Sequence, residues 1–234
     1  YHQAALASVP RSLEDPLATH AACATGTLTV LHAARLAGVR RVVYAGSSSA
    51  YGDQPGDDKN ETQPPAVLSP YGAAKLAGES YCQAFWASYG FETVVLRYFN
   101  VFGPRQDPHS PYSAVIPKFL DLMRQGLRPT IFGDGSQSRD FTYVSNVVDA
   151  NLLAADAPGV SGQVFNIANG DSTDLVTLVA RLNELLGTSI APEFAPARAG
   201  DVKLSRADIS KARAGLKYAP RIDFNEGLKK LVLG

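Results

Sequence analysis

The stretch V-L-S-P-Y-G-A-A-K, residues 67–75, sets Tyr71 and Lys75 four positions apart just after a serine and a proline. Residues at i and i+4 stack on one helical face, so a phenol and an ammonium placed this way project into the same space. A free tyrosine has a pKa near 10, which leaves about one molecule in a thousand as phenolate at pH 7. Bringing that pKa to about 7 takes roughly 4 kcal/mol of differential stabilisation, which a neighbouring ammonium and a further cation could supply in a partly dry site. Tyr71 would then act as a general base and Lys75 as its electrostatic tuner. The spacing alone also describes an ordinary helix surface with a snorkelling lysine. What separates the two readings is the run R-V-V-Y-A (41–45), which leads straight into G-S-S-S-A-Y-G and delivers Ser47, Ser48 and Ser49 to a strand's carboxyl end. In open α/β sheets ligands bind at that edge, although a serine run there also serves as a plain strand-to-loop cap.

The elements that would position these groups read helix, strand, helix, strand. Alanines and leucines recur at helical spacing from 19 to 37, with Gly38 placed to end the helix. Ser69 can cap a helix that starts at Pro70, runs to about Tyr89 and stops at Gly90. T-V-V-L-R-Y (93–98) is the next strand. Alternation with short connections argues for an α/β protein whose parallel sheet is covered on both faces. Beyond Gly103 and Pro104 the chain turns polar and proline-rich. It then reads as a helix over about 115–125, a turn at G-D-G-S-Q-S (133–138) between P-T-I-F and the strand-like D-F-T-Y-V, a strand at 164–168 and a helix near 173–186. Residues 1–103 are expected to form the sheet domain, with the 164–168 strand returning to it, and 104–234 mainly a smaller lobe.

Composition narrows the function classes. The 234 residues carry 22 basic and 22 acidic side chains, with a pI of about 7.1, so the chain lacks the basic footprint that neutralises a nucleic-acid backbone. No apolar run approaches the ~20 residues that span a bilayer, and the opening Y-H-Q-A-A-L is no signal peptide; a cytoplasmic protein is expected. Cys23 and Cys82 lie far apart without a C-x-x-C, and His2, His20, His32 and His109 show no metal-ligand spacing, so neither a disulfide nor a metal is expected.

Taken in order, S-S-S-A-Y-G, S-P-Y-G-A-A-K, L-R-Y-F-N-V-F-G-P-R-Q and G-D-G-S-Q-S-R-D-F-T-Y-V resemble the extended short-chain dehydrogenase/reductase family, within it the nucleotide-sugar 4-epimerases of the UDP-N-acetylglucosamine and UDP-glucose type. H-Q-A-A-L-A-S-V-P-R-S near the start and R-A-G-D-V-K-L-S-R-A-D near the end extend the resemblance over essentially the whole chain. It implies a Rossmann-like doubly wound parallel sheet with a smaller C-terminal substrate-binding lobe, NAD as cofactor, a UDP-sugar as substrate, and a homodimer joined through a four-helix bundle. By motif, Ser47, Tyr71 and Lys75 would be catalytic: Tyr71 takes the proton of the sugar's 4-hydroxyl as hydride leaves C4 for NAD+, the 4-keto sugar turns over, and hydride returns to its other face. Ala4, Ala5, Tyr98 and Val101, with Tyr71 and Lys75, would border the cofactor. Ser8, Ser48 and Ser49 would face the sugar and Asn100 the diphosphate. Gln106, Val115 and Phe132 would form the nucleotide pocket, Arg139 and Arg198 a guanidinium clamp on the diphosphate, and Asp201 a ribose partner. Ser205 would border the sugar's C2 substituent, where a small side chain leaves space for an acetamido group; it also reads as an ordinary loop serine.

The sequence departs from that pattern in two places. Family members open with a strand, a G-x-x-G-x-x-G turn and a helix that cradle the cofactor pyrophosphate, and this sequence contains no such turn. It enters the fold at what reads as the fourth strand, so the N-terminal half of the sheet is expected to be missing, NAD to bind poorly, and an apolar sheet edge to stand uncovered. Cys23 also stands where the family has an asparagine. Tyr81, Phe85 and Tyr89 recur at i, i+4 and i+8, as either core or the subunit face of the bundle. Two rival readings remain. A dehydratase or decarboxylase of the same family would want an acid pair where Ser47, Ser48 and Ser49 stand; Tyr71, Lys75 and the serine run speak against a non-catalytic relative, whereas the missing glycine turn speaks for an inactive fragment.

Overall fold

Valines with a tyrosine and an alanine make R-V-V-Y-A a strand buried on both sides, and it extends through the serine run's first member as β1 (Arg41–Ser47). The computed structural model describes residues 1–54, 56, 58–110, 113–197 and 203–234. Two short helices, α1 (Val9–Glu14) and α2 (Pro16–His20), lead through a π-helical turn, Ala21–Thr25, into α3 (Gly26–Leu36). After β1 come a 3-10 turn at Ser48–Ala50, the short β2 (Asp58–Lys59), the long α4 (Pro70–Tyr89) and β3 (Glu92–Tyr98). The chain continues through β4 (Val101–Phe102), α5 (Val115–Arg124), β5 (Thr130–Phe132), β6 (Ser138–Arg139), β7 (Thr142–Tyr143), α6 (Val144–Asp156) and β8 (Gln163–Ile167). It closes with β9 (Thr173–Asp174), α7 (Leu175–Leu186), β10 (Glu193–Ala195), β11 (Leu204–Ala207), α8 (Ser210–Leu216) and α9 (Phe224–Leu233).

The central sheet is parallel, ordered β1-β3-β8, and His2 adds a single parallel bridge to Tyr44. The chain is therefore an α/β protein with a Rossmann-like sheet. Strand alternation divides its side chains between two cores. Val42 and Tyr44 of β1 and Val95 of β3 pack with Leu31, Cys82, Phe85 and Phe91 beneath α3 and α4. Val43, Val94 and Leu96 pack on the opposite face with Val147, Ala150 and Ala154 of α6. A third core, with Phe102, Phe119, Ile131, Leu178 and Leu228, holds the later helices together.

Helix α4 follows its sequence signals closely. The Ser69 side chain accepts from the Gly72 amide at 3.1 Å, Pro70 takes the first position, and Gly90 ends the helix with φ +61°. The stripe Tyr81, Phe85, Tyr89 divides, with Phe85 buried and the two tyrosines exposed. The turn at 133–138 forms, but its flanks make no hairpin: β5 pairs in parallel with β10, and β6 lies between β11 and β9. Of D-F-T-Y-V only Thr142–Tyr143 is extended, and α6 starts at Val144. The opening V-S-N-V-V of α6 has low helix propensity; burial of one face against the sheet stabilises it in place of local preference.

Gly78 marks the closest approach of α4 to the sheet, because a Cβ there would lie 2.3 Å from the Tyr44 hydroxyl oxygen. Tyr44 is fully buried and has no room to retreat. Gly78→Ala should therefore destabilise the fold by about 1–3 kcal/mol, read as a lowered urea midpoint; an unchanged midpoint would show that helix and sheet can separate freely here.

Candidate active site

β1 ends at Ser47 in extended geometry, and its side-chain oxygen accepts from the Ser49 amide (3.2 Å) and the Ser49 hydroxyl (2.8 Å), folding Ser48–Ala50 into a 3-10 turn. The first turn of α4 rests on this turn. A Cβ on Gly72 would sit 2.9 Å from the Ser49 carbonyl oxygen, so glycine permits the contact. Tyr71, next to it, lies beside the Ser47 side chain and packs among Ala5, Leu6, Cys23, Ala24 and Ala74. Burial pushes the Tyr71 phenol above its ordinary value, opposed by the Ser47 hydroxyl. In the unliganded chain desolvation dominates at Tyr71, so the lowering expected from Lys75 together with a further cation is not reached without that cation.

Lys75 is 3% exposed. Its ammonium lies 4.4 Å from the centroid of the Tyr44 ring, and the Tyr44 hydroxyl donates to the Lys75 carbonyl at 3.2 Å. Among the described residues the ammonium has no hydrogen-bond acceptor. Desolvation lowers its pKa to about 8. His2 is buried close by, with Nε2 2.9 Å from the Thr27 hydroxyl, and burial and then the Lys75 charge lower its pKa. The imidazole is thus neutral at pH 7 and adds no competing charge. Cys23 and Ala24 sit in the π-helical turn, beside Tyr71, and π-helical turns are frequent at functional sites.

A cleft of about 380 Å³ opens beyond the carboxyl end of β3. Of the residues singled out from the sequence, Asn100, Val101, Val115, Phe132 and Arg139 line it. Lys118 and Gln137 line it as well and were not legible beforehand; Gln137 lies in the turn motif two residues before Arg139, and its amide donates to the Phe132 carbonyl (2.5 Å). The Ser47, Tyr71 and Lys75 cluster lies outside this lining, at the neighbouring strand end: Ser47 is paired in register with Tyr98, two residues before Asn100. Tyr98 reaches Gln3 (3.1 Å) and Asn151 (2.8 Å) through its hydroxyl. Gln106 braces the loop, donating to the Val101 carbonyl (3.0 Å), and Ser8 caps α1 by accepting from the Arg11 amide (3.2 Å). Ser205 is buried on β11, in register with Arg139. Ala4 is exposed and Ala5 half-buried; Arg198 and Asp201 lie outside the described residues.

The donor set fits the nicotinamide end of a dinucleotide. A buried ammonium without an acceptor among the described residues can serve a ribose diol. The cofactor's chemistry would be to accept a hydride from a sugar carbon and give it back.

The NAD dependent epimerase/dehydratase family matches residues 1–168, and the chain belongs to this enzyme family. A UDP-glucose 4-epimerase of Mycolicibacterium smegmatis is 39% identical over 99% of this chain and 74% of its own length. The structure of a UDP-N-acetylglucosamine 4-epimerase from Methanobrevibacter ruminantium M1, in complex with UDP-N-acetylmuramic acid, superposes with a TM-score of 0.95 at 40% identity, covering 99% of this chain and 74% of that one. A UDP-glucose 4-epimerase from Thermus thermophilus in complex with NAD gives 0.90 at 36% identity, covering 99% and 75%.

Lys75 gives the site a stability signature. The folded chain releases this proton near pH 8, against 10.5 for the ordinary side chain. Between those values the unfolded chain binds more protons, so stability rises with pH, and below pH 8 the buried charge weakens the fold by its full amount, up to about 3 kcal/mol. Lys75→Met should raise the urea midpoint at pH 7 and flatten its rise toward pH 10; a lowered midpoint at pH 7 would contradict a desolvated ammonium.

Proposed function

We propose that the protein is a UDP-sugar 4-epimerase, acting on UDP-N-acetylglucosamine and UDP-glucose through a transient 4-keto sugar in the cytoplasm. The observation that carries the reading is the grouping of Ser47 at the carboxyl end of β1 with Tyr71 and Lys75 on the first turns of α4, one strand end away from a mixed polar and apolar cleft that also holds Arg139. Ser47 and Tyr71 lie side by side and can hold one substrate oxygen between them. Tyr71 removes and returns the proton of the sugar's 4-hydroxyl. Lys75 places positive charge behind it and offers its donors to the cofactor ribose, with Ala4, Ala5, Tyr98 and Val101 alongside. Ser8, Ser48 and Ser49 face the sugar. Asn100, Arg139 and Arg198 take the diphosphate, Gln106, Val115 and Phe132 the base, and Asp201 the ribose. Serines in place of carboxylates beside Tyr71 favour proton exchange at one oxygen over β-elimination, which needs an acid and a base of its own.

Ser205 sets the sugar range in this reading, leaving room for an acetamido group. The outer faces of α3 and α4, where Leu36, Tyr81, Trp86 and Tyr89 are exposed, support a homodimer through a four-helix bundle.

The complete gene product, assayed without added cofactor on UDP-N-acetylglucosamine and UDP-glucose, should yield both 4-epimers; release of a keto sugar without epimer would refute the reading. Tyr71→Phe should lower turnover by about 10²–10⁴-fold while substrate affinity holds, and near-normal turnover would remove Tyr71 as the base. Ser205→Tyr should suppress the N-acetyl substrate more than the plain hexose, an assignment that equal suppression of the two would discard.

A further inference from the structure

Arg97 and Glu79 form a buried ion pair that the chemistry at Tyr71 does not use. Arg97 shares the α4 face of β3 with Thr93 and Val95, and its Nε and Nη2 donate to the two carboxylate oxygens of Glu79 at 2.9 and 2.6 Å. The side chains are 4% and 6% exposed. The guanidinium also lies 4.6 Å over the ring of Tyr51. The Tyr51 hydroxyl donates to the Asn166 side chain at 2.7 Å, and the Asn166 amide donates to the Lys59 carbonyl at 2.8 Å.

Two features make this location matter. Glu79 lies one helical turn beyond Lys75 and two beyond Tyr71, on the same face of α4. Tyr51 closes the 3-10 turn that presents Ser48 and Ser49. One guanidinium therefore touches both the helix that carries the phenol and ammonium and the residue that ends the serine turn. The apolar contacts of α4, through Cys82 and Phe85, are non-directional and tolerate small slides along the helix axis. A bidentate fork fixes both distance and direction. Apolar residues of similar volume often replace a buried ion pair without loss of stability, so stability alone does not account for it.

We infer that Arg97 and Glu79 are positioning residues that set the register of α4 against the serine turn, so that Tyr71 and Ser47 meet at one substrate oxygen. This rests on Tyr71 as the base, and a misplacement of about 1 Å there costs on the order of 10²-fold in rate.

The test uses the complete gene product with its cofactor and three variants: Arg97→Met with Glu79→Met, Arg97→Lys alone, and Tyr71→Phe. The double variant should keep the wild-type melting temperature or exceed it, hold KM within about 2-fold and lose about 30- to 100-fold in kcat. Arg97→Lys keeps the charge but loses the fork, and should lose about 10-fold in kcat at unchanged KM. Wild-type kcat in a folded double variant overturns the inference; should the double variant fail to fold, wild-type kcat in Arg97→Lys overturns it instead. Turnover retained in Tyr71→Phe would defeat the base assignment itself, whereas an inactive Tyr71→Phe beside a fast double variant defeats the positioning role alone.

Discussion

A lysine ammonium held out of water at the interface of helix and sheet is the constraint on which the rest of the structure depends. Among the described residues Lys75 rests on the Tyr44 ring without a carboxylate partner, and its surroundings are arranged to allow this. Gly78 brings α4 down onto Tyr44, His2 stays neutral beside it, and Ser69, Pro70 and Gly72 fix the helix start against the serine turn. A charge in such a place weakens the fold. Burial keeps the Tyr71 phenol high in the unliganded chain. On the proposed reading, Tyr71 would become a base only when further positive charge arrives, which would tie its activation to an occupied cofactor site.

The lobe that forms the cleft is tied to the sheet by a second buried group. Asp140, fully buried between β6 and β7, accepts from the amides of Asn169 (2.9 Å), Gly170 (3.0 Å) and Ala207 (3.2 Å), and burial pushes its carboxyl up to about 7. Its own amide donates to the Ser205 carbonyl at 2.7 Å. One side chain thus joins the segment after β8 to the strands that carry Arg139 and Ser205. Arg139 and Ser205, in the sheet ordered β2-β11-β6-β9, are thereby tied to the β1-β3-β8 sheet.

Local signals carried much of this into the sequence. The cap, proline and closing glycine of α4, the two valine-rich strands and the Tyr71, Lys75 and serine constellation are all written in contiguous stretches, and contiguous stretches obey propensity and periodicity. What was not legible depends on contacts between distant residues. Helix α6 forms against the sheet despite a β-branched start, the flanks of the 133–138 turn choose β10, β11 and β9 as partners instead of each other, and Lys118 and Gln137 enter the cleft from separate segments. Glu79 and Arg97 are eighteen residues apart, with nothing local to announce their pairing. Desolvation too was hidden, since sequence spacing placed the ammonium near the phenol but not the depth at which both are buried.

The most direct test of charge-gated activation at Tyr71 is an ultraviolet difference titration of tyrosinate in the complete gene product, with and without NAD+, for wild type and Tyr71→Phe. A phenol that ionises at about pH 7 with NAD+ bound, and is lost from the spectrum in Tyr71→Phe, is the predicted result. Ionisation above pH 10 in both cofactor states would contradict the account.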